Sequence, residues 1–368
     1  MIKGGGHVRR TLVDKDIWEE LSEESRPIFI YGTGNGADKI IDACLDHDVN
    51  LAGVFASDGF VRNREFRGMK VESYAQAVER CGNDIVVLLA FGTNLPDVVK
   101  NIRKIARVHT LYIPEVPLYG GELFTREYYN RHYDEINDVQ KLFCDGYSRL
   151  LYQEMIEYRL SARPHLLLRT QSPETSMAEL LSASGISFAL DGGAFRGDST
   201  NDIISALSPD KVWAVEPDSR TFTKLKAYAD SERRCVVEPV LAALCDTDGD
   251  IGFDASASRG SGAETKNRRA KTTAVTGMRI DSFVSDKGIR LDFIKLDVEG
   301  YEAAALSGAA ETLKRFQPAL AVSVYHRTED LWLLPRKVSE LCPGHKLYLR
   351  RGPCIPAWDI MLYTSREE

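Results

Sequence analysis

The sequence predicts an α/β protein made of two doubly wound domains that a helical segment joins. Apolar strands alternate with helix-like segments at the start of the chain and again from residue 185 onward, a pattern typical of parallel sheets with helices on their faces. Each stretch also carries a glycine-rich turn directly after an apolar strand. We therefore expect domains at 1–120 and 185–368, separated by a helical linker at 121–184.

The first domain, a small Rossmann-like unit, opens with the strand IFIY (28–31), which runs into GTGNGA (32–37). Its other predicted elements are helices at 38–47 and 95–107 and strands at 51–55, 84–91 and 108–113. The linker is rich in long polar and aromatic residues and lacks β-branched clusters, which favours helices over strands. We expect these helices at 122–143, 147–160 and 173–184.

The second domain shows the alternation over a longer stretch. Seven strands are predicted, at 187–191, 211–216, 234–241, 291–297, 319–325, 346–350 and 358–364, with helices at 198–207, 218–230, 302–315 and 328–341. Only a short Gly/Pro turn at 351–353 joins the last two strands, so the sheet should close with an antiparallel hairpin.

Composition excludes several classes of protein. The chain has 47 Lys and Arg against 54 Asp and Glu, a formal charge of −7, whereas a nucleic-acid-binding protein should show a basic face. The one basic cluster, at 266–271, is more simply a solvated loop than a phosphate contact. No apolar run approaches the roughly 18–20 residues that span a bilayer, so we expect no membrane insertion.

The N-terminal sequence and the cysteines indicate the compartment. MIKGGGHVRR lacks the apolar stretch of a signal peptide. Seven cysteines are an odd number, and they include no CxxC pair. We therefore expect a cytoplasmic protein with reduced thiols.

Four pieces of the second domain point to one ligand site. They are the turn DGGAFRGDST (191–200), Glu216 with Pro217 after the second strand, Asp297 and Glu299 in IKLDVEG, and His326 after the strand ALAVSVY. The turn brings backbone N–H groups close to a ligand. Its two carboxylates, Asp191 and Asp198, disfavour a pyrophosphate and suit a ligand with positive groups, such as S-adenosylmethionine. A carboxylate about twenty residues after such a turn can bind ribose hydroxyls.

Each piece also has an ordinary structural explanation. A glycine turn alone is weak, Glu216 or Asp297 could serve as a helix cap or an ion-pair partner, and a lone histidine more often fills a core. Their order along the chain is more informative than any one of them. All four follow strands, and the carboxyl ends of parallel strands share one edge of the sheet.

Residues 187–364 resemble the FkbM-type methyltransferase family. The resemblance is carried by DGGAFRGDST (191–200), VWAVEPDSRTFTKL (212–225), FIKLDVEGYEAAALSGA (293–309) and YHRTEDLWLLP (325–335). It implies a seven-stranded class I fold, S-adenosylmethionine as donor and O-methylation of a saccharide or polyketide-like hydroxyl. By motif position, the residues that would line the cofactor site are Asp191, Gly192, Gly193, Ala194, Gly197, Asp198, Thr200, Glu216, Pro217 and Ala243.

Two side chains are candidates for activating the acceptor hydroxyl. His326 is the first candidate base, because an imidazole titrates near neutral pH. Asp297 is the second, provided that burial raises its pKa. A divalent cation held by Asp297 and Glu299 is a weaker option. The stretch at 254–273, rich in Ser, Gly and Arg, is either a lid or disordered.

The first domain has its own candidate site at Gly32, Gly34, Gly36 and Ala37, which fit a dinucleotide fingerprint with Asp58 further on. The phrases IYGTGNGADKII, LAGVFASD and FRGMKV resemble the nucleotide-sugar-binding domains of bacterial sugar acetyltransferases. This resemblance implies a site for a nucleotide-linked sugar. The alternative is a domain that serves assembly.

Three functions compete at this point. The first is O-methyl transfer to a saccharide or nucleotide-linked sugar. The second is a nicotinamide-dependent oxidoreductase centred on residues 32–37, although no Tyr-x-x-x-Lys pair accompanies that turn. The third is a non-enzymatic nucleotide-binding scaffold with a degenerate methyltransferase domain. The acceptor and the oligomeric state, including a homo-oligomer, are left open.

Overall fold

The computed structural model describes residues 12–61, 64–119, 121–254 and 272–366. The first sheet and its helices come from the strands β1 (Ile28–Tyr31), β2 (Leu51–Ala56), β3 (Glu65–Phe66), β4 (Met69–Ser73), β5 (Val86–Leu89) and β6 (Thr110–Tyr112) and the helices α1 (Ile17–Ser22), α2 (Asn35–Asp46), α3 (Tyr74–Cys81) and α4 (Pro96–Val108). We call residues 12–119 the first unit.

The first sheet has the order β3-β4-β2-β1-β5-β6. Its pairs are parallel except for the antiparallel β3–β4 hairpin. The four strands predicted for the first domain are confirmed. Fully buried apolar runs such as VVLL are typical of central strands in parallel sheets. The β3–β4 hairpin was not predicted, because its strands are short, polar and partly exposed.

Helices lie between the two sheets, as predicted, and they are α5 (Arg126–Arg131), α6 (Tyr133–Val139), α7 (Gly146–Ser161) and α8 (Pro173–Leu181). The single helix predicted at 122–143 is wrong. The helical segment starts later, where the Thr125 side chain accepts a hydrogen bond from the Tyr128 N–H and caps α5. It is interrupted at His132, whose backbone leaves the helical conformation.

The second unit (188–366) contains seven strands of one sheet, β7 (Phe188–Gly192), β8 (Lys211–Val215), β9 (Val236–Val240), β13 (Phe293–Leu296), β14 (Ala319–Ser323), β15 (His345–Arg351) and β16 (Ile360–Arg366), in the order β15-β16-β14-β13-β7-β8-β9. All seven predicted strands are confirmed. The hairpin β15–β16 is antiparallel, and β16 also pairs antiparallel with β14. On one side of β7 the sheet continues with β8 and β9, and on the other side it continues with β13 and β14. The strand order therefore reverses between β7 and β13. The carboxyl ends of these two strands form the topological switch point, where open α/β sheets bind ligands.

The second unit's helices are α9 (Asp198–Leu207), α10 (Ser219–Ser231), α11 (Ile280–Lys287), α12 (Glu302–Ser307), α13 (Ala310–Phe316) and α14 (Asp330–Leu341). The helix predicted at 302–315 is interrupted at Gly308. A Cβ there would lie 2.1 Å from the carbonyl oxygen of Cys245, so the close approach of that backbone requires glycine.

A small three-stranded sheet, not predicted, leaves the main sheet after β9. It contains β10 (Ala243–Leu244), β11 (Gly249–Asp254) and β12 (Thr272–Met278) in the order β10-β12-β11. The segment proposed as a lid or a disordered loop falls mainly on 255–271, outside the described residues, as does the basic cluster.

One hydrophobic cluster runs through both units. It includes Phe29 and Val87 of the first sheet, Leu151 of α7, and Leu320 and Leu362 of the second sheet. Thr93 and Ile355 also pair as a backbone bridge between the units. The units are therefore packed on each other through a shared core. In the part of the chain that the structure describes, no helix is both long and apolar enough to cross a membrane.

Candidate functional site

The glycine turn between β7 and α9 forms one wall of a cavity at the carboxyl edge of the second sheet. Gly193 and Gly197 have φ angles of +77° and +98°. A Cβ on Gly193 would lie 1.9 Å from the Asp297 carbonyl oxygen, and one on Gly197 would lie 2.4 Å from the Tyr228 ring. The turn therefore needs glycine at both positions, for its conformation and for the close packing.

Asp191 holds this turn from inside. Its side chain has no exposed surface, and its Oδ2 accepts hydrogen bonds from the hydroxyls of Ser199 and Thr200 at 2.8 and 2.7 Å. Its Oδ1 lies 3.0 Å from the ammonium of Lys295. Asp191 and Thr200 thus shape the turn from beneath rather than lining the cavity.

The predicted cofactor residues separate into two groups. Those that line the cavity are Gly193, Asp198, Glu216, Pro217 and Ala243. The others, Asp191, Gly192, Ala194, Gly197 and Thr200, support the turn or the strand behind it. The ends of β7, β8, β13 and β14, which the order of the motifs predicted to lie together, meet at one edge of the sheet.

Glu216 follows β8 and is almost fully buried, with 7% of its surface exposed. One carboxylate oxygen accepts the Phe195 N–H at 3.0 Å, and the other accepts the Asp218 N–H at 2.9 Å. Burial raises the pKa of Glu216 to about 7, against the effect of these two hydrogen bonds. The Glu216 carboxyl lies in the cavity wall. Its neutral and ionised forms are both populated near neutral pH.

Lys295 is a cavity residue that our sequence analysis missed. It lies in β13, and its ammonium approaches Asp191, the hydroxyl of Ser199 at 3.2 Å, and the carbonyl oxygens of Gly192 and Gly193, both at 3.3 Å. A lysine within the apolar run FIKL was the available signal, because a buried cation needs a buried partner.

A cluster of ionisable groups reaches the cavity through Asp297 and Glu299. His326 has no exposed surface. Its Nδ1 lies 2.9 Å from Glu302, and its Nε2 lies 3.4 Å from both Asp297 Oδ1 and Glu299 Oε2. Asp297 and Glu299 line the cavity, whereas His326 and Glu302 lie behind them. We call these four residues the acidic cluster.

The acidic cluster changes the protonation of its histidine. Burial alone would lower the pKa of His326, but Glu302, Glu299 and Asp297 together outweigh it and raise this pKa to about 10. An imidazole that already carries two protons cannot accept another. His326 was the first candidate base because an imidazole ordinarily titrates near neutral pH. That reason does not apply in this fold.

The metal option also changes in its residues. Among the described residues, Asp297, Glu302 and His326 form a group of three that each offer one ligand atom, and these three atoms all lie within 4.8 Å of one another. The predicted pair was Asp297 and Glu299. Glu302 and His326 therefore take the place of Glu299 in the group whose geometry could hold a cation.

The glycine turn of the first unit is partly a packing feature. A Cβ on Gly36 would lie 2.6 Å from the Ala90 carbonyl oxygen, and Ala37 is fully buried. Gly34 has open space around it and caps the N-terminus of α2. Near it, the guanidinium of Arg64 donates to the Thr33 hydroxyl at 2.5 Å.

The comparisons with known proteins agree with the second unit's architecture. Residues 191–350 match the sequence model of the methyltransferase FkbM domain. This stretch begins at the glycine turn and includes Glu216, Lys295 and the whole acidic cluster. A search of curated protein sequences finds no significant match to the chain.

Several solved structures are similar to this chain. The crystal structure of methyltransferase FkbM from Methylobacillus flagellatus KT is 19% identical, with a TM-score of 0.65 over 93% of this chain and 90% of that one. An rRNA methylase from Streptococcus thermophilus scores 0.36 at 13% identity, over 54% of this chain and 98% of its own. Fibrillarin from Aeropyrum pernix, solved with natively bound S-adenosyl-L-methionine, scores 0.34 at 12% identity, over 52% and 73%. The first likeness extends over both units and confirms the class I methyltransferase fold.

Proposed function

We propose that this chain, an S-adenosylmethionine-dependent methyltransferase with an FkbM domain at 191–350, methylates a hydroxyl oxygen of a saccharide or of a nucleotide-linked sugar. The observation that carries the proposal is the cavity itself. Its lining includes both the glycine turn with Glu216 and the carboxylates Asp297 and Glu299 of the acidic cluster. Cofactor and acceptor can therefore meet within one cavity.

The residues around the turn suit the cofactor. Glu216 has further lone pairs on both oxygens, which can accept the two ribose hydroxyls. The backbone N–H groups at the start of α9 can receive the methionine carboxylate, and Asp198 lines the cavity beside them. Ala243 and Leu244 of β10 provide an apolar surface for the adenine ring.

Asp297 is the residue we assign as the base. When bound, S-adenosylmethionine supplies an electrophilic methyl carbon on a sulfonium, a good leaving group. Asp297 adjoins the turn that would hold this group, because its N–H donates to the Gly192 carbonyl at 3.0 Å. During methyl transfer, the Asp297 carboxylate would accept the proton that the acceptor hydroxyl gives up. Tyr325 donates to the same carboxylate at 3.2 Å and orients it.

The charge of the cavity supports a neutral acceptor group. Its lining includes one ammonium, Lys295, and the carboxylates Asp198, Glu216, Asp218, Asp297 and Glu299. A phosphate or carboxylate next to the reacting hydroxyl would be repelled by this lining. Sugar hydroxyls are neutral, and their hydrogen-bond donors suit carboxylate acceptors.

We also propose that the glycine turn of the first unit receives the phosphates of a nucleotide-linked sugar. Gly34 leaves the N-terminus of α2 open, and Arg64 adds a guanidinium beside it. Among the described residues, Arg64 forms no ion pair with a carboxylate. The competing role, assembly of the chain into oligomers, requires no ligand at this turn.

Calorimetry and a transfer assay test the proposal together. We expect the protein to bind S-adenosylhomocysteine, and Glu216→Ala to weaken that binding at least tenfold, the effect of about 1.4 kcal/mol. Tritiated S-adenosylmethionine should label members of a panel of free hexoses, methyl hexosides and UDP-hexoses. Binding of NAD(H) without S-adenosylhomocysteine would contradict the assignment.

Chelation separates the two ways of activating the acceptor. If Asp297 is the base, dialysis against EDTA should leave the initial rate of transfer unchanged, and added Mg²⁺ or Mn²⁺ should not raise it. A rate that disappears with EDTA and returns with either ion would replace the carboxylate mechanism by a metal-assisted one.

A further inference from the structure

Tyr119 connects the first unit to the acidic cluster of the second. It lies in the segment after β6, and its hydroxyl donates a hydrogen bond to Glu299 Oε2 at 2.5 Å. Its ring also contacts His326 edge to face, with ring centres 5.6 Å apart. The contact joins residues 180 positions apart in the chain, so a side chain outside the FkbM domain reaches the cavity wall.

The carboxylate that Tyr119 contacts has an unusual backbone. Glu299 has a φ of +56°, in the left-handed region that side chains other than glycine rarely adopt. Non-glycine residues in such conformations concentrate at functional sites and persist where the surrounding structure holds them. The next residue is Gly300, so the chain keeps a glutamate at one position of a strained turn. The presence of glutamate at this strained position is explained if its carboxylate is required for function.

Two contacts hold this turn in place. Arg327 donates from its Nε to the Gly300 carbonyl oxygen at 3.1 Å. The Tyr119 ring also packs against this turn, 3.4 Å from the point where a Gly300 Cβ would lie. The first unit therefore helps to maintain the backbone conformation of Glu299 as well as contacting its side chain.

Lys39 holds the segment directly before Tyr119 in place. It belongs to α2, the helix that follows the first unit's glycine turn, and its ammonium donates to the carbonyl oxygens of Pro117 and Leu118 at 2.5 and 2.7 Å. These are the two residues directly before Tyr119. Because a partly buried ammonium is stabilised by its hydrogen bonds, this contact restricts where the tyrosine can go.

Tyr119 remains a hydrogen-bond donor at physiological pH. Burial raises the pKa of its hydroxyl well above the usual value, and the negative charges of Glu299, Glu302 and Asp297 raise it further. Its proton therefore stays on the phenol oxygen and points to a carboxylate. Hydrogen bonds from a neutral donor to a charged acceptor contribute more than those between neutral groups.

We propose that Tyr119 is a positioning residue of the acceptor site, which holds the Glu299 carboxylate at the cavity wall so that it receives the acceptor hydroxyl beside Asp297. Methyl transfer then depends on the first unit, even though the FkbM domain contains the cofactor turn and the base. This inference rests on the proposed function, since it assigns a role within the same site.

Tyr119→Phe is the decisive variant, because it keeps the ring against His326 and Gly300 and removes only the hydroxyl. We expect the affinity for S-adenosylhomocysteine to stay within about twofold, because Tyr119 does not line the cavity. Transfer of tritiated methyl groups to the sugar panel should fall about 10- to 100-fold, as expected for one hydrogen bond to a charged group. The KM for the acceptor should rise, because a Glu299 carboxylate that Tyr119 no longer holds in place receives the acceptor hydroxyl less well.

Tyr152→Phe is the matched control. Its hydroxyl is also buried and donates to a backbone carbonyl, that of Ile136 at 2.7 Å, far in sequence from the acidic cluster. This variant should lose stability and keep the wild-type KM for the acceptor. If Tyr119→Phe transfers methyl groups at the wild-type rate with the wild-type KM, the positioning role is wrong.

A spectroscopic measurement keeps the inference testable without an acceptor. The short hydrogen bond of Tyr119 should give a downfield proton resonance that Tyr119→Phe and Glu299→Gln both lose and Tyr152→Phe retains. Its absence from the wild-type spectrum would overturn the inference. Failure of the wild-type protein to bind S-adenosylhomocysteine would instead overturn the proposed function, so the two failures are distinguishable.

Discussion

Glu216 is the residue at which the cofactor site becomes sensitive to pH. It is buried and has a pKa of about 7, and only its ionised form offers acceptors on both oxygens to the ribose hydroxyls. Binding should therefore be strongest above pH 7, where the carboxylate is ionised, and should weaken as pH falls below 7, where a proton must be lost on binding.

We predict that the dissociation constant for S-adenosylhomocysteine rises by up to about tenfold for each pH unit below 7. Glu216→Gln should bind more weakly and show little of this dependence. The matched control is Glu238→Gln, a carboxylate of the neighbouring strand β9 that pairs with Lys211 and Lys287 away from the cavity. Calorimetry on both sides of pH 7 tests this, and an equal pH dependence in Glu216→Gln would contradict it.

His326 stabilises the fold through its charge. Its pKa is raised from 6.5 to about 10 in the folded protein. A raised pKa of this kind contributes stability that is fully present below the unfolded value and is lost as pH rises through the folded value. Its removal leaves Asp297, Glu299 and Glu302 without their buried cation.

We predict that His326→Gln lowers the free energy of unfolding by roughly 3–5 kcal/mol at neutral pH, as for other broken buried ion pairs. The difference from the wild-type protein should narrow toward pH 10. Urea unfolding at neutral and alkaline pH measures both effects. The control is His132→Gln, in which a partly exposed histidine beside Glu135 is lost at a cost of at most about 1 kcal/mol. An equal loss in both variants would argue against the charged cluster.

At the scale of elements, the turn between β7 and α9 combines two separate demands on glycine. One is the left-handed backbone conformation of Gly193, and the other is the close approach of the Asp297 carbonyl oxygen, which leaves no room for a Cβ at Gly193. The first demand costs about 1 kcal/mol when a side chain is added. The second cannot be met without moving β13 or the turn.

We predict that Gly193→Ala abolishes measurable binding of S-adenosylhomocysteine. Gly288→Ala is the matched control, because Gly288 also has a positive φ, +59°, but has open space around it. The control should lose a little stability and retain its affinity. Calorimetry and thermal unfolding of the two variants compare them directly, and retained binding by Gly193→Ala would show that the turn does not hold the cofactor.

Buried strands were the elements that sequence patterns could predict. Runs such as FIKL and ALAVS lie at the centre of the second sheet, where apolar residues on both faces leave a continuous signal. The strands β3 and β4 were missed because they are short, polar and partly exposed, and β10 was missed because it is short and pairs with the distant strand β12. Gly308, which interrupts a helix, was also hidden, because its cause is the approach of Cys245 from another part of the chain.

The candidate site could be predicted as far as its strand ends. Carboxyl ends of parallel strands converge by topology, so Glu216, Asp297 and His326 could be placed on one edge from their order alone. Their charges could not be predicted, because the pKa of His326 depends on how closely Glu302 approaches. Tyr119 was missed for a similar reason, since no local pattern reports a contact over 180 positions.

At the scale of the whole molecule, the two units share a core rather than meeting at a polar interface. The cluster that contains Val87 of β5 also contains Leu320 of β14. Arg159 of α7 adds a buried link, pairing with Glu115 at 3.0 Å and donating to the Thr328 carbonyl at 2.6 Å. Such a structure should open as one cooperative body.

We predict that the slowest-exchanging amides of β5 and β14 have equal free energies of opening. Both should rise by about 2.7 kcal/mol when S-adenosylhomocysteine is present at 100 times its dissociation constant. Hydrogen exchange followed by mass spectrometry measures this, with Glu216→Ala as the control that should show no rise at the same ligand concentration. Protection that increases in β14 alone would show that the units unfold separately.

The carboxylates around the cavity also have a consequence for the end of the catalytic cycle. In the proposed mechanism, the donor would enter with a positive sulfur, the thioether that remains after transfer would be neutral, and Asp297 would have gained a proton. The cavity carboxylates would thus attract the donor electrostatically and lose that attraction for the spent cofactor once the methyl group has gone. The spent cofactor should accordingly bind more weakly than the donor, and the charges that recruit the donor would not retain the product.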